Sequence, residues 1–256
     1  MHVLYKLLLF HVLTCRGQIG LGSDIIHGRK SKENSMLFMA SVQNKKGHVC
    51  GGFLVSEDFV MTAAHCDDQD PTSVVLGTHN LKKVNKDMKY KVKKKCKYPS
   101  YVDIAKGNDI MLLKLSRKAR PSKKVSIKPI QIPIRPIKLK DNSTCQVAGW
   151  GSTRTRGINV VELQVVDVPI INLKTCQKEW YNKVPANVIC AGGYGTKKGI
   201  CQGDSGGPLV CKGNLAFGVV SYNNQGNCDY PDVPNIYTDI SKYAPWINDI
   251  LKKKKC

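Results

Sequence analysis

Acidic residues are scarce in this chain: 19 Asp and Glu stand against 40 Lys and Arg among 256 residues, a formal net charge of +21 at pH 7. That imbalance points to polyanionic rather than basic partners. Aromatic residues make up only 7%, and they form no stacking platform among the lysines, which argues against a nucleic-acid reader. After residue 24 no apolar run approaches the roughly 20 residues of a membrane-spanning helix. No two cysteines form a C-x-x-C pair and the six histidines are scattered, so no metal site, zinc included, and no cofactor is expected. No sequence repeat relates the two halves of the chain. The hydrophobic content of 42% is nonetheless that of a globular protein, and the length allows one large domain or two small ones.

What is present begins with a leader. Lys6, the short apolar run Leu7–Leu13 and the small-residue site Gly20-Leu21-Gly22 read as a signal peptide over 1–22. Export puts the cysteines where pairing is the default. With Cys15 in the leader, ten remain: Cys50, Cys66, Cys96, Cys145, Cys176, Cys190, Cys201, Cys211, Cys228 and Cys256. Beyond the leader run short β-rich segments such as Phe38–Val42, Gly52–Val55, Ser73–Leu76, Ile110–Leu113 and Gly218–Tyr222, separated by turn residues, as in barrels and sandwiches. The stretch Lys128–Pro136 carries three prolines and reads as an extended connector between two β units. Helical signal comes mainly at the end, where Ser241 can cap a segment to Leu251 with Pro245 in its first turn.

Three local patterns carry the chemistry. Met61-Thr62-Ala63-Ala64-His65-Cys66 pins a histidine beside a cysteine after a strand. Asn108-Asp109-Ile110-Met111 leads an aspartate into an apolar strand. Cys201-Gln202-Gly203-Asp204-Ser205-Gly206-Gly207-Pro208 surrounds one serine with glycines, backbone shaped for close approach by another group. Each alone has an ordinary structural reading: a structural histidine, a turn residue, a tight turn. Together, in the order His, Asp, Ser, and with Ile25-Ile26-His27-Gly28, Cys50-Gly51-Gly52, Ala148-Gly149-Trp150-Gly151 and Val219-Val220-Ser221-Tyr222, they resemble the chymotrypsin-like serine proteases from Ile25 to about Leu251.

The resemblance implies an all-β fold of two six-stranded antiparallel barrels, about 25–128 and 137–240, with the active site between them and a C-terminal helix over about 241–251. It implies His65 as general base, Asp109 as its orienting carboxylate and Ser205 as nucleophile, with the amides of Gly203 and Ser205 as oxyanion hole. It implies that the Ile25 ammonium, freed by cleavage, pairs with Asp204, so that the uncleaved chain is inactive. The intervening dipeptide Ser23-Asp24 is similar to the activation dipeptide of granzymes and related leukocyte granule proteases, removed by a dipeptidyl peptidase. His27 stands where the family has Gly and is expected to add bulk beside the insertion pocket. Four bridges carry over, Cys50–Cys66, Cys145–Cys211, Cys176–Cys190 and Cys201–Cys228; because the C-terminal helix of this fold returns to pack on the first barrel, a fifth, Cys96–Cys256, is expected, with an intermolecular bridge as the rival.

The family's specificity pocket maps to Gly199 at its base, with Ile200, Ser221, Asn223 and Asn235 around it. The base lacks the aspartate of trypsin-like members, and the expected residue before the scissile bond is hydrophobic or medium polar, such as Leu, Met, Phe or Asn. A shifted alignment of the loop Asn223–Asn227 would instead bring Asp229 or Asp232 inside. Loss of Lys6, Arg16 and Asp24 with residues 1–24 lowers the charge by one, to +20. Lysines cluster from Lys82 to Lys97 and again at Lys252–Lys255, an expected site for heparin-like sulfated proteoglycan that fits storage in secretory granules. Serpin-type inhibitors are expected partners, and Asn142-Ser143-Thr144 is a glycosylation sequon. An active secreted endopeptidase, a non-catalytic basic heparin-binding or antimicrobial relative, and a structural proteoglycan binder remain the competing functions.

Overall fold

The computed structural model describes residues 24–123, 125–224 and 226–256. The leader expected over 1–22 and Ser23 lie outside the described residues.

Of the thirteen strands among the described residues, twelve close into two six-stranded barrels. After a short β1 (Arg29–Lys30), the strands β2 (Met39–Asn44), β3 (Gly47–Ser56), β4 (Phe59–Thr62), β5 (Ser73–Leu76), β6 (Lys89–Lys97) and β7 (Met111–Leu115) close antiparallel in the order β2-β3-β4-β7-β6-β5. The second barrel, β8 (Thr144–Gly149), β9 (Gln164–Ile171), β10 (Val188–Ala191), β11 (Pro208–Cys211), β12 (Leu215–Tyr222) and β13 (Asn235–Asp239), closes as β8-β9-β10-β13-β12-β11. The two orders are the same topology, although the sequences share no visible repeat. A small barrel asks only that strands be the right length with apolar residues facing in, and β6 shows how little that specifies. In Lys-Tyr-Lys-Val-Lys-Lys-Lys-Cys-Lys only Tyr90 and Cys96 are buried, while most of the lysines face solvent.

The amino-terminal segment departs from the expected boundary of the first barrel. Strand β1 pairs with β9, Arg29 opposite Val165, and Ile25 is buried among Val147, Val166, Val168, Leu209 and Tyr237. The segment therefore belongs to the second barrel, where an apolar start finds a core. The proline connector is extended as expected and fastens both barrels: Ile130 N–H donates to Leu54 O at 2.9 Å, and Ala216 N–H donates to Gln131 O at 3.0 Å.

The chain's last helix, Ala244–Lys253, has Pro245 in its first turn. A 3-10 turn, Ile240–Tyr243, precedes it, and its cap is Asp239 rather than Ser241: the carboxylate accepts from Ser241 N (3.0 Å) and Ser241 Oγ (2.7 Å). The turn begins at Ile240, so the cap falls to Asp239, two residues before Ser241. Tyr243 and Trp246 then pack edge-on against Tyr98 of the first barrel, at 4.9 and 5.3 Å between centroids. A second helix, Leu173–Glu179, was not expected from its sequence; Asn172 caps it by accepting from Lys174 N at 2.9 Å.

All ten cysteines from Cys50 onward are joined within the chain: Cys50–Cys66, Cys96–Cys256, Cys145–Cys211, Cys176–Cys190 and Cys201–Cys228. The Cys96–Cys256 bridge ties the end of the chain to β6.

Candidate active site

His65 leaves β4 in the 3-10 turn Ala64–Gln69, which the Cys50–Cys66 bridge fastens to β3. Both sulfurs beside His65 are therefore in a disulfide, which leaves no thiolate for a metal at the one Cys/His cluster found among the described residues. Asp109 sits just before β7, after Asn108, whose φ of 59° turns the chain. Its carboxylate is 1% exposed and accepts from His65 N (2.9 Å) and Nδ1 (2.8 Å) and from Ser221 Oγ (2.5 Å). Thr238 Oγ1 donates to the Asp109 carbonyl at 2.9 Å. Ser221 and Thr238 lie in β12 and β13, so the second barrel holds an aspartate carried by the first. Burial would raise the Asp109 carboxyl, but the bonds and charge of His65, with the Ser221 hydroxyl, outweigh it and hold the pKa below the usual carboxylate value.

Ser205 meets this pair across the barrel boundary. Its carbonyl accepts from Gly51 N–H at 2.8 Å and lies 3.8 Å from Cys66 Sγ, the neighbour of His65. Among the described residues no hydrogen bond joins Ser205 Oγ to His65, and no acceptor meets the Gly203 or Ser205 N–H. The glycines here have specific reasons. At φ +81° a Cβ on Gly206 would stand 2.1 Å from Thr62 Oγ1, and Gly203 adopts φ +93°. The Gly203 carbonyl accepts from His48 Nε2 at 3.0 Å, while His48 Nδ1 lies 2.8 Å from Ser41 Oγ. Burial pushes the His48 imidazole down to about 4 despite that backbone bond, so it stays neutral and clamps the Gly203–Asp204 peptide as a fixed tautomer.

Asp204 is fully buried between Gly149 and Gly151, where a Cβ would come within 2.1 and 2.6 Å of its Oδ1. Among the described residues its carboxylate accepts only from Gly151 N–H and Cys201 N–H, both 2.9 Å. Burial pushes its carboxyl up to about 7, with those two amides working against the rise. Ile26 packs with Cys201, Cys228 and Tyr230, next to the same segment. Ile25 is held at φ 47°, a strained conformation for a β-branched residue. The His27 side chain is exposed in the uncleaved chain, and its φ of 54° shows why glycine suits the position.

Four of the residues mapped to the specificity pocket, Gly199, Ile200, Asn223 and Asn235, lie together, while the Ser221 hydroxyl goes to Asp109. Gly199 and Ile200 are buried against Asn235, whose Oδ1 accepts from Ile200 N–H at 3.1 Å, and Asn223 Nδ2 reaches toward Ile200 O at 3.5 Å. Asp232 accepts from Asn224 Nδ2 (2.9 Å) and Asn227 Nδ2 (3.2 Å), Asp229 is exposed, and neither side chain bonds to Gly199, Ile200 or Asn235 among the described residues. Asn142 is exposed with φ 60°. Sequence reasoning missed Ser41, His48, Thr238 and Tyr230, and it grouped Ser221 with the pocket without foreseeing its bond to Asp109. The proximity of His48 to Cys50 was the one local hint.

Comparison with known proteins agrees with this geometry. The Trypsin family profile matches residues 25–247. Duodenase-1 of Bos taurus is 40% identical over 254 residues, covering 97% of this chain and 96% of the relative. Granzyme B of Rattus norvegicus is 40% identical over 242 residues, covering 90% and 92%, and cathepsin G of Mus musculus is 38% identical over 235 residues, covering 90% and 86%. Among solved structures, neuropsin, a serine protease expressed in the limbic system of mouse brain, superposes with a TM-score of 0.78 at 31% identity, covering 88% of this chain and 98% of that one. The chain belongs to the trypsin family, and it is a chymotrypsin-like serine endopeptidase similar to granule proteases.

Proposed function

We propose that the chain beginning at Ile25 hydrolyses peptide bonds through His65, Asp109 and Ser205. The observation that carries this reading is the buried Asp109 carboxylate, bonded to both the ring and the backbone of His65 beside the Ser205 turn. His65 takes the Ser205 proton as Oγ attacks the carbonyl and returns it to the leaving amine; Asp109 fixes the tautomer and stabilises the imidazolium. The unpaired amides of Gly203 and Ser205 receive the oxyanion, a contribution of roughly 3 kcal/mol for each donor. The Ile25 ammonium neutralises Asp204 and locks the turn, so removal of the leader and of Ser23-Asp24 switches the enzyme on. The pocket holds no carboxylate among its described lining residues, so cleavage after Lys or Arg is not expected.

The enzyme is secreted or stored in granules and held there by sulfated polyanions. Support comes from the Cys96–Cys256 bridge, which brings Lys94, Lys95 and Lys97 of β6 together with Lys253 and Lys255 of the chain's end. Lys94 Nζ donates to Cys256 O at 2.8 Å, and Lys114 Nζ donates to Lys254 O.

A fluorophosphonate probe tests the catalytic reading. Labelling of the Ile25 chain, with none in its Ser205→Ala variant and little in the uncleaved chain, is the expected result. A properly folded Ile25 chain that takes up no probe would refute it.

A further inference from the structure

Tyr230 stands where a substrate side chain would go. It is 8% exposed, and its ring edge crosses the pocket base: a Cβ placed on Gly199 would lie 2.3 Å from Tyr230 Cε2. The phenol accepts from Asn235 Nδ2 (2.7 Å) and Asn223 Nδ2 (3.2 Å) and donates to Ile200 O (2.8 Å). A phenol offers one donor and about two acceptor sites, so these partners use its whole capacity. Asn235 is itself fully buried, with Oδ1 committed to Ile200 N–H. The Cys201–Cys228 bridge ties the two segments that meet here. The base and both walls are thus joined through one ring, and their polar groups satisfy each other.

We propose that Tyr230 is a specificity-determining residue: its ring is a raised floor that limits the residue before the scissile bond to short, uncharged side chains such as Ala, Val and Thr. This rests on the protease reading above and revises its pocket, replacing the Leu, Met and Phe expected from sequence with smaller side chains. A long or aromatic side chain must displace the ring, leaving the buried Asn235 amide and Ile200 carbonyl unpaired. A charged one finds no partner in the lining.

The test uses the Ile25 chain and peptide nitroanilides identical except for Ala, Val, Leu, Phe, Arg or Asp before the scissile bond, with rates normalised to active sites titrated by fluorophosphonate. Wild type is expected to favour Val over Phe in kcat/KM by at least about tenfold, the scale on which a hydrophobic pocket discriminates size. Tyr230→Ala should raise kcat/KM for Phe relative to Val by at least about tenfold. Tyr230→Phe keeps the ring but loses the three bonds that fasten it, and should reject Phe substrates less than wild type and more than Tyr230→Ala. A wild type that accepts Phe as well as Val overturns the inference, as does an unchanged Phe-to-Val ratio in Tyr230→Ala. Should Tyr230→Ala fail to fold, the wild-type ratio decides alone. A wild type without titratable sites overturns the protease reading itself, a distinct outcome.

Discussion

Removing residues 1–24 should change how the fold responds to pH, and Asp204 sets the size of the change. In the uncleaved chain the nitrogen of Ile25 is an uncharged amide, and burial lifts the Asp204 carboxyl from its ordinary 3.8 to about 7. A folded pKa above the unfolded one means that the native chain keeps a proton which the unfolded chain has already released. Stability from this group is therefore present at low pH and lost as pH rises from about 4 to about 7. At 1.36 kcal/mol per pH unit, that rise amounts to about 4 kcal/mol. An ammonium at Ile25 favours the ionised carboxylate and removes the loss. The mature chain should thus exceed the uncleaved one in stability by an amount that grows from pH 4.5 to 7.5, reaching about 4 kcal/mol. Above about pH 8 the ordinary α-amino pKa is passed and the gain falls again. Urea unfolding of Ser205→Ala versions of both chains, followed by tryptophan fluorescence, reads the difference without autolysis. A gap constant to within about 0.5 kcal/mol across the range, or one that widens toward acid, refutes the reasoning.

Ser221→Ala removes one of the three donors to the Asp109 carboxylate and should cost about 1.5–3 kcal/mol at neutral pH. Because the Asp109 pKa is depressed in the fold, its stabilisation is lost as pH falls, and this variant should acid-unfold at a higher pH than wild type; an unmoved acid midpoint counts against the bond. Wild type should run as a monomer on a non-reducing gel, and Cys256→Ser should lower unfolding stability by about 2–4 kcal/mol through the lost bridge; a doubled mass in wild type contradicts the intrachain pairing. Replacing Lys252–Lys255 with Gln should lower the salt needed to elute from heparin more than replacing the exposed Lys138, Lys140, Lys174 and Lys178 of the other barrel. Equal shifts would mean that net charge, not the β6 face, is what heparin reads.

The triad residues were legible because the chemistry demands particular residue types next to particular backbone: His65 beside a cysteine, Asp109 before a strand, Ser205 among glycines. The groups that hold them were not. Ser221 and Thr238 lie 112 and 129 positions from Asp109, and nothing local distinguishes a hydroxyl that meets a carboxylate from one that meets water. His48 reads as an ordinary histidine until the fold brings it to the Gly203 carbonyl, 155 residues away. Ile25 was legible as an apolar start, but not as part of the second barrel. Tyr230 was invisible as a pocket residue because its ring enters from a loop whose register with Gly199 no spacing rule supplies.

By itself, the sequence determined the strand lengths, the glycines that only a close approach explains, the order of the triad and the surplus of positive charge, since each is a property of neighbouring residues. Tertiary structure alone decided that the two dissimilar halves close in the same strand order, that Asp109 draws bonds from the opposite barrel, and that the Tyr230 ring lies against Gly199 and Asn235. Those outcomes depend on barrel closure, which juxtaposes residues far apart in the chain and leaves no periodic trace along it.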